Sequence, residues 1–258
     1  MNKARDLEFA KRIQENSTDV HSLRKRGHFG SLFSASQYHL PYQLVRAVAP
    51  RQGRVLDWGC GNGHFTRFLL EEGYTDIHTY SFRAPALLDG LSQLQDRVTI
   101  HVAAKAKGSH IRLPSSCFQT VLSIGVLEHV RETGGTELES LREIHRILTD
   151  GGRLICCHLP NRRSPIEALS RLLPGRYHHQ YLFSRKQITT LLETEGFTVE
   201  RITLYGALPR NLFSGRLRFV GNQPFLCRFL ESLDWLLSRA LRPFCQNIAV
   251  VARKTSQE

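Results

Sequence analysis

The chain lacks the features that define several protein classes. It has no uninterrupted apolar run of about 18 residues, roughly the length that a bilayer-spanning helix needs. Its six cysteines, at 60, 117, 156, 157, 227 and 245, form no Cys-x-x-Cys pair and no Cys/His spacing of a zinc module. They read as small buried apolar residues of a reduced protein, which excludes a disulfide-stapled fold. The opening MNKARDLEFAKRIQE has no apolar leader core and contains Asp6, Glu8 and Glu15, so no secretory or organellar address is expected. Cytoplasm is the expected location. Internal repeats and low-complexity tracts are also absent, and Lys is scarce beside Arg.

The 258 residues include 41% hydrophobic and 22% charged side chains, ordinary for a globular chain able to bury a core. The charge is unusual. Lys+Arg number 35 against 23 Asp+Glu, a formal +12, and +9 of it lies after residue 152. Anionic partners are therefore expected mainly on the C-terminal part.

Apolar patterning alternates strand and helix. Strands are expected at 54–57, 76–81, 98–103, 118–124, 153–158, 197–204 and 247–253, with helices from 40 to 50 and at 64–72, 84–93, 136–148 and 184–195. Such alternation predicts a doubly wound α/β fold, a mainly parallel seven-stranded sheet with helices on both faces. Residues 1–35 read as a helical and loop extension, and 36–258 as the main domain with a helical insertion, 207–245, between the last two strands. In that insertion Leu226, Phe229, Leu230, Leu233, Leu236, Leu237, Ala240 and Leu241 make one apolar stripe.

The strongest local signal is Val55-Leu56-Asp57-Trp58-Gly59-Cys60-Gly61-Asn62-Gly63, a buried strand entering a glycine turn that opens a helix. Glycine allows positive φ and close ligand approach, and a helix N-terminus offers unpaired N–H groups to an anion. The string is neither the dinucleotide fingerprint nor a phosphate-binding loop. It resembles the first motif, D-x-G-x-G-x-G, of the class I S-adenosylmethionine-dependent methyltransferases. Three further segments are similar to that family in the family's order: Phe118–Val130 with its V-L-E-H-V end, Leu141–Leu154 with Gly151-Gly152, and Leu191–Phe197 with Gly196-Phe197.

The resemblance implies a Rossmann-like methyltransferase using S-adenosyl-L-methionine. It implies cofactor contacts from Asp57, Gly59, Cys60, Gly61, Gly63, Ser81, Ser109 and Gly125, with the glycines and Asp57 at the amino-acid end. Ser81 stands where the family holds the ribose with an acid, Ser109 where an acid accepts from adenine, and Gln119 where strand four usually has Asp. A charged hydrogen bond is worth roughly 1.5–3 kcal/mol and a neutral one about 0.5–1.5. Two such replacements thus cost on the order of 2–3 kcal/mol, roughly a hundredfold in affinity.

Methyl transfer needs alignment and often a base when oxygen is methylated. Catalytic candidates are Glu128, His129 and His178, with His158, His64 and the rest of Tyr177-His178-His179-Gln180-Tyr181 nearby in the motif order. The resemblance also implies that family members which methylate catechol-like lipid quinones hold a metal on an acid three residues before Glu128 together with the Glu128-His129 pair. That position is Gly125 here, so no metal is expected. The expected acceptor is a small molecule, a lipid-linked molecule or a saccharide, methylated at oxygen. Arg162, Arg163, Arg171, Arg176, Arg185 and Lys186 would suit a phosphorylated one. RNA methylation and a non-catalytic binding protein of the same fold are the alternatives. For the insertion helix, residues 223–243, three occupants stay open: the rest of the domain, a membrane surface that it meets peripherally, or a second copy. Glu231 and Asp234 are expected on its polar face, where they reduce its basic character.

Overall fold

The computed structural model describes residues 3–15, 29–88, 96–103, 110–173, 178–215 and 217–255. Helix α1 (Lys3–Glu15) buries Leu7, Phe9, Ala10 and Ile13. After a short turn at Leu32–Ala35, capped by Ser31, comes α2 (His39–Val48). The alternating part is β1 (Val55–Trp58), α3 (His64–Glu71), β2 (Ile77–Ser81), β3 (Val98–Val102), β4 (Phe118–Ile124), α4 (Glu137–Ile147), β5 (Leu148–Pro160), α5 (Pro165–Leu172), α6 (Arg185–Thr194) and β6 (Phe197–Tyr205). Helix α7 (Pro224–Ala240) forms the body of the insertion, and β7 (Asn247–Lys254) closes the chain.

The helix starts follow from side-chain chemistry. Thr136 with Glu139 and Ser184 with Gln187 form reciprocal capping boxes at α4 and α6, satisfying N–H groups that the helices leave unpaired. Of the expected helix at 84–93, residues 84 and 85 are irregular, Ala86–Leu88 form a single tight turn, and residues 89–93 fall outside the described residues. Strand β5 begins five residues before its expected start, at Leu148. The loop expected in the N-terminal extension falls at 16–28, also outside them.

The strands lie in the order β3-β2-β1-β4-β5-β7-β6. Neighbours are parallel from β3 to β5, whereas β7 runs antiparallel to both β5 and β6. Strand β6 therefore points the same way as β5. Its carboxyl end, where the insertion leaves the sheet, is the same end at which the glycine turn follows β1. Two apolar clusters cover the sheet. One joins α1, α2 and α3 to β1, and the other packs α4 and α6 on β4, β5 and β7.

Helix α7 departs from expectation. Its buried residues are Cys227, Glu231 and Asp234, while Phe225, Phe229, Trp235 and Leu236 of the same helix are exposed. The cause is a polar clasp. Asp234 Oδ1 accepts the N–H groups of Ala207 and Leu208 at 2.9 and 2.7 Å, and Oδ2 pairs with Arg210 at 2.7 Å. Arg210 in turn donates to Phe33 O at 3.1 Å and lies over the Phe33 ring. Leu32 N–H donates to Asn222 Oδ1 at 3.0 Å, tying the insertion to the N-terminal segment. Glu231 faces His39 at 3.6 Å, and burial drives that imidazole down to about 3 and keeps it neutral. The two acids therefore bind the domain and leave the outer face to aromatic residues and arginine.

Breaking the clasp leaves a largely buried guanidinium and two N–H groups without their carboxylate. Asp234→Ala is expected to cost about 3 kcal/mol or more. Arg153→Ala, which removes a part-exposed pair with Glu200, is expected to cost under about 1 kcal/mol. Urea unfolding of both variants checks the contrast, and equal losses would contradict it.

Candidate active site

The glycine turn is built by three residues with distinct jobs. Gly59, Gly61 and Gly63 all have positive φ, +74°, +56° and +86°. A Cβ on Gly59 would strike Val126 at 2.5 Å, and one on Gly63 would strike Pro85 at 2.8 Å, so both are required by packing. Among the described residues a Cβ on Gly61 would meet nothing closer than Gly59 O at 4.0 Å. Gly61 is therefore the position where the turn stays open to a ligand, and a side chain there would fill the cradle. Gly63 also opens α3, its carbonyl accepting from Arg67 N–H at 2.9 Å.

Asp57 does a structural job at the base of this turn. It is buried, and its Oδ2 accepts the Thr66 hydroxyl at 2.6 Å, stapling β1 to α3. Burial lifts its carboxyl to about 6, against the opposing pull of the Thr66 hydroxyl and N–H. Cys60 is buried, and its thiol is pushed up to about 12, so it is inert. Ser81 ends β2 beside the turn, because Gly59 N–H donates to Tyr80 O at 2.7 Å, but its hydroxyl is engaged by Arg83 O. Ser109 falls outside the described residues. Gln119 lies at the start of β4, where its Oε1 accepts Arg54 N–H at 2.6 Å.

The second half of the site follows β4. Gly125, at φ +72°, turns the chain so that Glu128 folds back beneath it, a Cβ there lying 3.8 Å from Glu128 Oε1. Glu128 and His129 sit in the tight helical turn Leu127–Thr133. Glu128 is buried, its Oε2 has no hydrogen-bond partner among the described residues, and burial raises its carboxyl to about 7. His129 Nε2 stands 3.9 Å from Glu128 Oε1, beyond hydrogen-bond reach, while its Nδ1 pairs with Glu132 at 2.8 Å. The histidine that joins them is His179 and not His178. The His129 and His179 rings are 5.8 Å apart, His178 is exposed, and Tyr177 falls outside the described residues. His179 is half-buried, its Nδ1 held by Glu167 at 3.0 Å.

Sequence reasoning missed the aromatic wall beside this cluster. Tyr38 stacks on Phe29, with ring centroids 5.4 Å apart, and meets His64 and His158 edge-on at 4.4 and 5.0 Å. His158 at the end of β5 has φ +64°, unusual for a residue with a Cβ. Its N–H donates to the Tyr205 hydroxyl at 2.9 Å, and its Nδ1 lies 3.0 Å from the same oxygen. No local motif marks Tyr38 or Tyr205, because their roles arise from chain segments that meet only in the fold. Further out, Arg131, Arg162, Lys186, Tyr181 and Phe183 line a cavity of about 660 Å³. Of the expected basic cluster, Arg162 and Lys186 reach this cavity, Arg171 donates to His179 O at 3.0 Å, and Arg176 falls outside the described residues.

A family described as a methyltransferase domain matches residues 33–202, from the first buried turn to β6. The chain belongs to that methyltransferase family. Solved structures agree on the fold. This methyltransferase is similar to an S-adenosylmethionine-dependent methyltransferase from Mesorhizobium loti, at 19% identity and TM-score 0.56 over 86% of this chain and 100% of that one. It is similar to 1,6-didemethyltoxoflavin-N1-methyltransferase from Burkholderia thailandensis, solved with 1,6-didemethyltoxoflavin and S-adenosylhomocysteine, at 20% identity and TM-score 0.56 over 86% and 79%. A third is phosphoethanolamine N-methyltransferase 2 from Haemonchus contortus, at 19% identity and TM-score 0.55 over 85% and 53%. No curated protein matches the methyltransferase.

The Asp57 environment makes a pH prediction. Its folded value of about 6 lies above the ordinary 3.8, so the native state holds the proton more tightly. The stability this group contributes is complete below the ordinary value and is lost as pH rises through about 6. Asp57→Asn cannot titrate and is expected to gain on the wild type across that window, as read by urea midpoints at several pH values. A constant difference would contradict the assignment.

Proposed function

We propose that this methyltransferase moves a methyl group from S-adenosyl-L-methionine to an oxygen of a lipid-linked acceptor at an anionic membrane surface. The observation that carries the membrane part is the outer face of α7. Phe225, Phe229, Trp235 and Leu236 are 79%, 58%, 56% and 57% exposed, next to the exposed Arg228 and Arg239. Arg239 lies over the Trp235 ring at 4.9 Å. Aromatic rings flanked by arginines suit the boundary between headgroups and acyl chains of an anionic bilayer. The insertion leaves the sheet at the end that carries the glycine turn, which favours an acceptor delivered from that surface. Among the described residues no helix is long and apolar enough to cross a membrane, so the reading is of docking.

The open cradle at Gly61 suits the amino-acid end of the cofactor, with Gly59, Gly63 and Asp57 holding the turn in shape. Ser81 offers a hydroxyl where an acid would grip the ribose more strongly. When bound, S-adenosylmethionine supplies an electrophilic methyl on its sulfonium. The chain's own residues align the acceptor and exclude water. Phe29, Tyr38, His64 and His158 form the aromatic wall, and Glu128, His129 and His179 form the polar corner in which the acceptor oxygen is activated. Arg162 and Lys186 in the outer cavity suit a phosphate on the acceptor.

Three outcomes are expected. Gly61→Ala weakens S-adenosylhomocysteine binding at least about tenfold by calorimetry. Gly73→Ala, also at positive φ, +87°, with open space around it among the described residues, leaves affinity unchanged; equal effects would show that backbone strain alone is at work. Glu128→Gln lowers kcat by roughly a hundredfold while cofactor affinity holds. The protein floats with phosphatidylglycerol-containing vesicles and not with phosphatidylcholine alone, and a Phe225→Ser, Phe229→Ser, Trp235→Ser variant stays behind. A variant that floats equally, or one that changes oligomeric state instead, refutes the membrane assignment.

A further inference from the structure

We propose that Glu128, His129 and His179 form a binding site for a divalent first-row transition cation of the zinc type. Ligand atoms of the three side chains all lie within 4.8 Å of one another. Tetrahedral zinc with bonds of about 2.0–2.2 Å needs its ligands about 3.3 Å apart, so small side-chain adjustments close the site. Two imidazoles with one carboxylate select zinc, iron or manganese over magnesium or calcium, which prefer oxygen alone.

Three further observations support a ligand here. Each histidine uses Nδ1 toward its own carboxylate, His129 toward Glu132 at 2.8 Å and His179 toward Glu167 at 3.0 Å. That is the arrangement by which proteins orient Nε2 toward a metal and raise its basicity. Glu167 is itself fixed, because its Oε1 accepts from Gln246 at 2.9 Å and it lies in the Ser164-capped first turn of α5. Finally, Glu128 Oε2 is buried without a hydrogen-bond partner among the described residues, which costs free energy that a cation would offset. A simple Glu–His pair does not supply that partner, since His129 Nε2 is 3.9 Å from the nearer oxygen.

The absence of a metal was expected because Gly125 stands where related sites have an acid. His179 supplies the missing ligand from the segment before α6, so the position of Gly125 does not limit the site. Three protein ligands leave a coordination position open, as in catalytic zinc sites. Val126, two residues before Glu128, lies against Gly59 of the glycine turn, so a cation here would sit near that turn. Its use on the acceptor oxygen rests on the proposed function, whereas binding of the cation does not.

The test uses the full chain, stripped with a chelator and titrated with Zn²⁺ and, for its visible spectrum, with Co²⁺. One equivalent is expected, without the thiolate charge-transfer band that the cysteines would produce. Affinity falls at least about tenfold in Glu128→Gln and in His179→Ala. It is unchanged in His178→Ala, and in His101→Ala, which disrupts the separate His78–His101 pair. S-adenosylhomocysteine affinity, measured on the same samples, reports that the variants are folded. No binding, binding unaltered in both Glu128→Gln and His179→Ala, or a thiolate spectrum overturns the site. Zinc binding with no S-adenosylhomocysteine binding would support the site and defeat the cofactor reading.

Discussion

Burying the Asp234 carboxylate would cost several kcal/mol if it stood alone, and the fold meets that cost with Arg210 and the N–H groups of Ala207 and Leu208. Much of the functional end depends on this clasp. It pins the insertion to Phe33 and its neighbours, and the same N-terminal segment brings Tyr38 and Phe29 against His64 and His158. With its acids turned inward, α7 has aromatic residues and arginine left for its outer face.

The topology supplies the second constraint. Because β7 is antiparallel to both neighbours, β6 ends at the same edge as β1, β4 and β5. The glycine turn, the Glu128 turn, His158 and the insertion therefore converge on one end of the sheet, the usual place for ligands in open α/β folds. Packing separates the roles of the glycines there. Gly59 and Gly63 are small because Val126 and Pro85 press on them, and Gly61 is small where nothing among the described residues does.

Much of this was legible in the sequence. Alternation of strand and helix and four ordered motifs anticipated the seven-stranded sheet, the insertion and the methyltransferase family. Glu128 and His129 could be singled out as candidates because they sit inside a local motif. His179 was not separable from His178, since adjacent loop residues differ only in which one the Glu167 bond turns inward. Helical periodicity misjudged α7 for a physical reason. An apolar stripe read from spacing places acids in water, and Glu231 and Asp234 instead find buried partners in His39 and Arg210. Tyr38 and Tyr205 left no signal because the contacts that give them a role join distant segments.

The central claim is that the open cradle at Gly61 and the Glu128, His129 and His179 corner serve one reaction. A crystal structure of the protein with S-adenosylhomocysteine tests it most directly. The account predicts density for the amino-acid end against Gly61, with the sulfur facing that corner across a gap that admits an acceptor oxygen. Density elsewhere, or a sulfur directed away from Glu128, would contradict it.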